Sequence, residues 1–421
     1  MTRFPLRSFR LVCKDPEVFS LEGLLRAQGF VFAQEPFYPM ARRLLREPLP
    51  LGSSLAAAFG CLYIQDRSSM LPPLALAPPP GAAVLDLCAG PGGKTGLLAQ
   101  LAGPSGFILG NEPGKPRLAT LRRNLLRQGL LACATSSRPG EDLPLPDGTW
   151  RRILLDPPCS AWGTAEKNPR VLTLWRGKKI APLIRLQRRL LAEAVRLLRP
   201  GGFLVYSTCT TNPAENEEQV LGVRAEWGLE ILPLETPPGF ARLPSARPEA
   251  EGCLRVGGDG QGFFVALLRK PAAASRPEDR PAILLPEAPL SRETLEDPWA
   301  DLAALPPGDV IRDGETLRFL PRAGRELLPP SFAWTGFPLG RGRINPALRS
   351  LLPDRITARK RGLPCLDLEE AQPLADLLSG KSFPVDCAER EIGLYFRDLP
   401  LCRLAVKGRR AVPPPPGGAV I

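Results

Sequence analysis

Two cysteines each follow a hydrophobic segment that is typical of a buried β-strand. Cys159 ends ILLDPPC (153–159), and Cys209 ends FLVYSTC (203–209). Because ligands of open α/β sheets bind at the carboxyl ends of the strands, both thiols are expected at the ligand edge, flanking one pocket if the two strands are neighbours. A thiolate is a strong nucleophile even when it is only partly formed. The pair predicts covalent chemistry, and the alternative is two small packing groups.

A glycine-rich turn in VLDLCAGPGGKTGLLAQLA (84–102) indicates a cofactor site. A strand leads into the turn and a helix leaves it, so glycine backbone and a helix N-terminus face one ligand. The turn matches neither the Walker A pattern nor G-x-G-x-x-G. Glu112, in GNE (110–112), follows at the interval where a carboxylate can bind ribose hydroxyls. These features predict a nucleoside-type cofactor, and the alternative is a tight strand–helix connection without a ligand.

Composition excludes several kinds of site. The chain has 421 residues, 10 cysteines and no histidine, and none of its cysteines forms a C-x-x-C pair. Zinc sites of the usual spacing and Ser-His-Asp or Cys-His catalysis are therefore not expected, so a general base must be Asp, Glu, Cys, Lys or Tyr. The formal charge of +12 favours a nucleic acid partner over an acidic membrane surface. Unpaired cysteines and the lack of a long apolar run predict a cytoplasmic protein without a membrane segment.

The elements that position these residues follow from alternating hydrophobic patterns. Strand-like runs alternate with longer helical patterns, which predicts an α/β fold with a parallel sheet and helices on both faces. The predicted strands are 84–87, 107–111, 152–156, 203–208 and 263–268, and the predicted helices are 94–102, 115–128 and 180–198.

Composition also suggests how the chain is divided. Residues 1–70 predict a small N-terminal α+β subdomain, and residues 71–270 predict the α/β core. The range 271–308 is rich in proline and alanine and is interpreted as a linker. Residues 309–421 predict a further α+β region that ends in a proline-rich tail.

Four stretches together carry a family resemblance. They are YIQDRSSMLPPLAL (63–76), DLCAGPGGKT (86–95), LLDPPCSAWGT (154–164) and YSTCTTNPAENE (206–217). They resemble the Sun-type RNA cytosine-5 methyltransferases, and among these the bacterial F-type enzymes of small-subunit ribosomal RNA. The paired proline-cysteine and Ser-Thr-Cys motifs are the specific part, because the glycine turn alone indicates only a methyltransferase. Residues 369–410 are similar to the C-terminal, PUA-like RNA-binding region of that family.

The resemblance implies a Rossmann-like methyltransferase core with S-adenosyl-L-methionine as cofactor and RNA as partner. Residues 1–70 are then an N-terminal RNA-binding subdomain. Cys209 is then the nucleophile that adds to C6 of a cytosine, and Cys159 assists release of the enzyme. Asp156 holds the base edge near N3. The implied cofactor-binding residues are Cys88, Ala89, Gly90, Pro91, Gly92, Gly93, Lys94, Glu112 and Asp156. Ribosomal 16S RNA or the small subunit is the expected substrate, and a monomer is expected.

Three positions depart from the family pattern or are ambiguous. Arg138 stands near a position where the family usually has an acid that contacts the adenine, and Trp162 replaces part of the usual segment after the first cysteine. Trp162 either stacks on a flipped base or packs internally. Lys167 matches a basic position with an RNA or active-site contact. Transfer RNA as substrate and an inactive RNA-binding or ribosome-assembly protein are the open alternatives.

Overall fold

The computed structural model describes residues 7–257, 262–272 and 295–413. Within these ranges the chain forms four β-sheets, of which the central one has nine strands. A four-stranded sheet precedes it in the sequence, and a four-stranded and a five-stranded sheet follow it. The predicted α/β core is confirmed.

The N-terminal sheet is antiparallel and has the strand order β2-β3-β1-β4. One side chain of β1, Arg10, is fully buried and reaches out of this sheet. Its guanidinium donates to Gln65 at 3.3 Å and to Gln128, beyond the end of α5, at 2.6 Å. Burial lowers the pKa of Arg10 to about 10. The elements are β1 Ser8–Leu11, α1 Val18–Ala27, β2 Val31–Gln34, β3 Ala41–Arg46, α2 Leu55–Ala58 and β4 Leu62–Ile64, and in the core α5 is Lys115–Arg127.

The central sheet has the order β11-β12-β13-β9-β8-β5-β6-β7, and β10 pairs with β13. The first half comprises α3 Leu71–Leu76, β5 Ala83–Asp86, α4 Gly93–Ala102, β6 Phe107–Asn111, α5, β7 Cys133–Ser136 and β8 Trp150–Leu155. The second half comprises α6 Val171–Leu174, α7 Ala181–Leu197, β9 Leu198–Thr208, α8 Glu217–Trp227, β10 Glu230–Leu232, β11 Ala241–Leu243, β12 Leu254–Gly257 and β13 Phe263–Arg269.

The prediction of a parallel sheet is right for β5 to β9 and wrong for the strand predicted at 263–268. Strand β13 pairs antiparallel with β9 along residues 264–269. Only residues 258–262 separate β12 from β13, which is too short for a crossover helix, so the two strands form an antiparallel pair. Because β13 also runs opposite to β9, the parallel part of the sheet ends at β9.

Helix α7 packs one face against the central sheet and leads directly into β9. Its apolar residues recur at spacings of three and four, as an amphipathic helix requires. Leu190, Leu191 and Ala194 are buried against the sheet, while Arg185 and Arg189 on the other face are exposed. Strand β9 begins directly where α7 ends, and it runs along the middle of the sheet toward Cys209.

Two further sheets follow residue 295. The four-stranded sheet has the order β14-β15-β16-β17, and the five-stranded sheet has the order β18-β20-β21-β22-β19. The elements are β14 Gly308–Asp313, β15 Thr316–Pro321, α9 Arg322–Leu327, β16 Phe337–Arg341, β17 Arg343–Ile344, α10 Arg355–Lys360, β18 Cys365–Leu368, α11 Gln372–Leu378, β19 Phe383–Pro384, β20 Glu391–Phe396, β21 Leu399–Lys407 and β22 Arg410–Val412.

The range predicted as a linker is only partly described. Residues 273–294 and the proline-rich tail from 414 lie outside the described residues. From Trp299 onward the chain is packed, because Ala300, Leu302 and Leu305 are buried against the four-stranded sheet. Packed structure therefore begins inside the range 271–308.

The two ends of the chain share one hydrophobic core. Phe9 and Leu24 of the N-terminal sheet and its helix belong to the same buried cluster as Leu374 of α11 and Leu394 and Phe396 of the five-stranded sheet. The N-terminal and C-terminal units thus form one packed body beside the central sheet. In the ranges that the structure describes, no helix is long and apolar enough to cross a membrane.

Candidate active site

Four loops meet at the carboxyl edge of the central sheet. Strands β6, β5, β8 and β9 are consecutive neighbours, so the segments that follow them lie side by side. These segments carry Glu112, the glycine turn 88–94, the segment from Asp156 to Cys159, and Cys209. The predicted pocket required that the strands before the two cysteines be neighbours. Strands β8 and β9 do pair with each other, in parallel.

The two thiols are in contact. Cys159 Sγ lies 3.5 Å from Cys209 Sγ, and both residues are largely but not completely buried. The hydrogen bond from Cys159 lowers the pKa of Cys209 against the opposing effect of burial, and the charge of Lys94 acts in the same direction. The same hydrogen bond, together with burial, raises the pKa of Cys159 well above its usual value. Cys209 is therefore the thiol of the pair that ionises more readily, and Cys159 is the one that keeps its proton.

Lys94 joins the glycine turn to the segment that carries Cys159. Its ammonium lies 2.6 Å from Asp156 Oδ2, and Ser207 Oγ donates to the other carboxylate oxygen at 2.8 Å. Burial works to lower the pKa of Lys94, but the charge and hydrogen bond of Asp156 outweigh it, so the pKa is raised. Lys94 is thus a fixed positive charge whose field also lowers the pKa of Cys209. All three predicted catalytic residues and Lys94 lie together.

The glycine turn and Glu112 form a close-fitting cradle. A Cβ atom at Gly90 would lie 2.4 Å from Glu112 Oε2, so any larger residue would displace the carboxylate. Glu112 accepts from the backbone of Gly114 at 2.9 Å and from Arg117 at 2.9 Å. Arg117 also donates to the carbonyl of Gly90 at 2.6 Å, which ties the acid to the turn. An acid fixed over a glycine turn fits a bound nucleoside.

Asp86, at the end of β5, is a buried acid that sequence reasoning missed. Its Oδ2 accepts from Thr95 at 2.7 Å, while Oδ1 has no partner among the described residues. Burial raises the pKa of Asp86 to about 7. An unpaired buried oxygen at the base of the glycine turn is a further sign that this cradle takes a polar ligand. Cys88, beside it, has a pKa raised well above its usual value by burial, so its thiol stays protonated.

Glu215 holds the two cysteine loops together, and sequence reasoning missed it as well. It is fully buried, and its carboxylate accepts from the backbone and hydroxyl of Ser160 at 2.9 and 2.5 Å and from Gln187 at 2.9 Å. Ser160 Oγ in turn lies 2.7 Å from Thr210 Oγ1. Because Ser160 follows Cys159 and Thr210 follows Cys209, this network sets the distance between the thiols. Within PAENE nothing distinguishes Glu215 from Glu217 before the fold is known.

We expect Glu215→Gln to lower the rate of catalysis and the stability together. The amide places a donor where the carboxylate accepts from Ser160 and Gln187, so one or two buried hydrogen bonds are lost at about 1–3 kcal/mol each. Thermal unfolding and single-turnover kinetics measure the two effects. Glu218→Gln is the matched control, because Glu218 lies in an exposed ion pair with Arg247. Equal effects of the two substitutions would contradict the role given to Glu215.

The three ambiguous positions lie around this edge. Arg138 is fixed through its backbone, since its N–H and C=O bind the side chain of Asn111 at 3.1 and 3.0 Å. Lys167 is committed to an ion pair with Asp66 at 2.6 Å. Trp162 is half-buried, and its indole N–H has no partner among the described residues. The backbone N–H of its neighbour Gly163 donates to the carbonyl of Cys209 at 3.0 Å. The segment of Trp162 therefore packs against the segment that carries Cys209.

Comparison with known proteins places this site in a family. Residues 73–269 match the family model described as 16S rRNA methyltransferase RsmB/F. A tRNA (cytosine(49)-C(5))-methyltransferase of Pyrococcus abyssi is 36% identical over 229 residues, which cover 52% of this chain and 74% of that protein. The chain belongs to the RsmB/F family of RNA cytosine methyltransferases. The predicted Sun-type family and S-adenosyl-L-methionine as its cofactor are confirmed.

Other relatives of the RsmB/F type agree with this placement. Ribosomal RNA small subunit methyltransferase F of Salmonella agona is 39% identical over 240 residues, or 53% of this chain and 48% of that protein. The chain thus spans about half the length of this F-type relative. A crystal structure of a methyltransferase homolog protein from Pyrococcus horikoshii has 35% identity and a TM-score of 0.55, covering 64% of this chain and 87% of the other.

Proposed function

We propose that this protein methylates C5 of a cytosine in RNA through a covalent adduct with Cys209, and that small-subunit ribosomal RNA is its substrate. One observation carries the proposal. Two thiols lie 3.5 Å apart at the ends of neighbouring strands, beside the glycine turn that fits a nucleoside cofactor. The names of the relatives support RNA cytosine as the target, and the charge of +12 supports a polyanionic partner.

The proposed reaction begins at Cys209. Its thiolate adds to C6 of the cytosine, and the electrons of the C5–C6 bond make C5 nucleophilic. S-adenosyl-L-methionine, when bound, supplies the methyl group that C5 takes. Asp156 holds the base edge near N3, and its ion pair with Lys94 fixes the position of the carboxylate. The pair thus orients the base over the nucleophile.

Release of the product falls to Cys159 in this proposal. While Cys209 is a thiolate, its hydrogen bond and its charge keep the proton on Cys159. Once Cys209 is a thioether, both effects disappear, so Cys159 can give up its proton to solvent. It then accepts the proton from C5, the C6–sulfur bond breaks, and Cys209 leaves as a thiolate.

RNA binding is assigned to the units at the two ends of the chain, including the PUA-like region predicted at 309–421. Exposed basic residues at 359–361 and 407–410 support this assignment, and those at 176–179 add a basic stretch on the central unit. The predicted basic stretch 42–46 is only partly available, because Arg42 is buried in an ion pair with Glu22 at 2.6 Å. RNA affinity should fall steeply as salt rises.

The proposal is tested by methyl transfer from labelled S-adenosyl-L-methionine. Naked small-subunit RNA, assembled small subunits and bulk transfer RNA, all from cells that lack this protein, are offered separately. Nucleoside chromatography of the digested RNA then identifies the product. 5-Methylcytidine in small-subunit RNA supports the proposal, whereas label in another nucleoside or in no RNA overturns it.

Transfer RNA is the second candidate substrate. It is favoured by the relative of Pyrococcus abyssi, of which this chain covers a larger share than of the F-type protein. Label that appears in transfer RNA alone would select it. Failure to bind S-adenosyl-L-methionine in a calorimetric titration, with RNA binding intact, would instead support an inactive assembly protein.

We expect Glu112→Gln to weaken binding of S-adenosyl-L-methionine by about tenfold or more. Hydrogen bonds to a charged acceptor contribute about 1.5–3 kcal/mol, and Glu112 is proposed to accept them from the ribose hydroxyls. Isothermal titration measures the dissociation constant. Glu226→Gln is the control, since it neutralises an acid of α8 that forms an exposed ion pair with Arg188. If Glu112→Gln binds as the wild type does, the ribose assignment is wrong.

A further inference from the structure

A second cavity lies at the edge of the central sheet that is remote from the thiols. Its volume is about 300 Å³, and it is lined by α5, by β7 and by the segment that leads into β16. Strand β7 is the edge strand, and β6 and β5 separate it from β8. The cavity therefore belongs neither to the cofactor cradle nor to the thiol pair.

The cavity has an apolar floor and a basic rim. Leu125, Cys133 and Phe337 are buried at the floor, whereas Arg122, Arg123 and Arg318 line it with guanidinium groups. Apolar surface beneath cations is the environment that suits a flat aromatic group attached to an anion.

Arg122 is held in place from both sides of the cavity. Its Nε donates to Thr135 Oγ1 at 2.9 Å, and its Nη2 donates to Thr335 Oγ1 at 3.1 Å. The backbones of Thr135 and Thr335 bind each other through two hydrogen bonds of 2.9 and 2.8 Å, which joins the central sheet to the chain that enters β16. A guanidinium has five N–H donors, so the fixed group has donors left for a ligand.

Among the described residues, only one of the three rim arginines has an acidic partner. Arg318 pairs with Asp313 at 2.7 Å. Neither Arg122 nor Arg123 forms an ion pair within the ranges that the structure describes. Burial lowers the pKa of Arg122, and the nearby charge of Arg318 acts in the same direction. An anionic ligand would relieve the repulsion.

We propose that this cavity binds one unpaired nucleotide of the RNA substrate, outside the reaction centre. The base lies on the apolar floor, and its phosphate meets Arg122 and Arg123. Aromatic or guanidinium surfaces that stack an unpaired base are common in single-strand recognition. The inference rests on the proposed function, because it takes the RNA as the source of the nucleotide.

The test measures RNA affinity independently of catalysis. Fluorescence anisotropy with labelled small-subunit RNA is recorded for the full chain, for Arg122→Gln/Arg123→Gln, and for Ala119→Trp. Ala119 is an exposed residue that lines the cavity, so the tryptophan fills it without altering charge. Arg151→Gln/Arg199→Gln is the matched control, since those neighbouring arginines lie at the amino ends of β8 and β9.

We expect Ala119→Trp to weaken binding by about fivefold or more, as the loss of one stacked base does. Arg122→Gln/Arg123→Gln should also reduce the slope of log affinity against log salt by roughly 0.7, the value for one phosphate neutralised on a single strand. The control pair should leave both quantities unchanged. Equal losses in the cavity variants and the control pair would overturn the proposal, as would unchanged affinity in the cavity variants.

Two further arms separate this inference from the proposed function. Methyl transfer is measured with the same proteins. If the wild-type protein transfers methyl groups and the cavity variants show no rise in KM for RNA, only the cavity proposal is overturned. If RNA binding depends on the cavity but the wild-type protein transfers no methyl group, the cavity proposal is supported and the proposed function is overturned. Tight binding of a free nucleoside 5′-monophosphate, with RNA affinity insensitive to Ala119→Trp, would reassign the cavity to a free nucleotide.

Discussion

Cys209→Ala is expected to abolish methyl transfer to RNA, lowering the single-turnover rate by at least about a thousandfold. Removal of a covalent nucleophile has effects of this scale or larger. The side chain has no substitute, because Cys159 follows a different strand, β8, and Cys88 is a buried, protonated thiol. Transfer of a labelled methyl group to RNA measures the loss. Cys365→Ala is the control, since it removes a thiol from the five-stranded sheet instead.

The pH dependence provides a second readout of the same thiol. Because the pKa of Cys209 is lowered, its thiolate persists to lower pH than that of an ordinary cysteine. The wild-type rate should therefore stay level as pH falls, and decline only below the usual thiol range. A decline centred at or above the ordinary thiol pKa would contradict the contribution of Cys159 and Lys94.

Cys159→Ala is expected to stop turnover after the methyl group has been transferred. The adduct forms because Cys209 is intact, but the group proposed to accept the C5 proton is missing, so the enzyme stays bonded to RNA. A slowly migrating protein–RNA band should appear in a denaturing gel. It should require S-adenosyl-L-methionine and be absent from the double variant Cys159→Ala/Cys209→Ala.

The same substitution should shift the pH profile of adduct formation. The hydrogen bond from Cys159 is the largest influence that lowers the pKa of Cys209, so its loss raises that pKa. Adduct formation by Cys159→Ala should therefore need higher pH than the wild-type reaction does. Normal multiple turnover by Cys159→Ala, with no adduct at any pH, would remove Cys159 from the release step.

The sequence predicted the location of those site residues that directly follow a recognisable strand. The hydrophobic runs before Cys159 and Cys209 indicated strands, and parallel strands bring their carboxyl ends to one edge. The adjacency of β8 and β9 needed the structure, because strand order is a property of the whole sheet. Sequence patterns indicate where a strand lies in the chain, but they do not determine which strands pair with it.

Long-range contacts account for what the sequence did not predict. Glu215 bonds to residues 28 and 55 positions away, and it becomes important only when α7 and the two cysteine loops surround it. The shared core of Phe9 and Leu394 joins opposite ends of the chain. The antiparallel β13 resembles the other buried strands in its residues, because a strand buried on both faces has the same pattern in either direction.

The most direct test of the central claim is to identify the residue that carries RNA in the trapped complex. The adduct of Cys159→Ala is digested with nuclease and protease, and the modified peptide is sequenced by tandem mass spectrometry. We expect a methylated cytidine nucleotide bonded to Cys209. A nucleotide on any other residue, or a trapped nucleotide that lacks the methyl group, would contradict it.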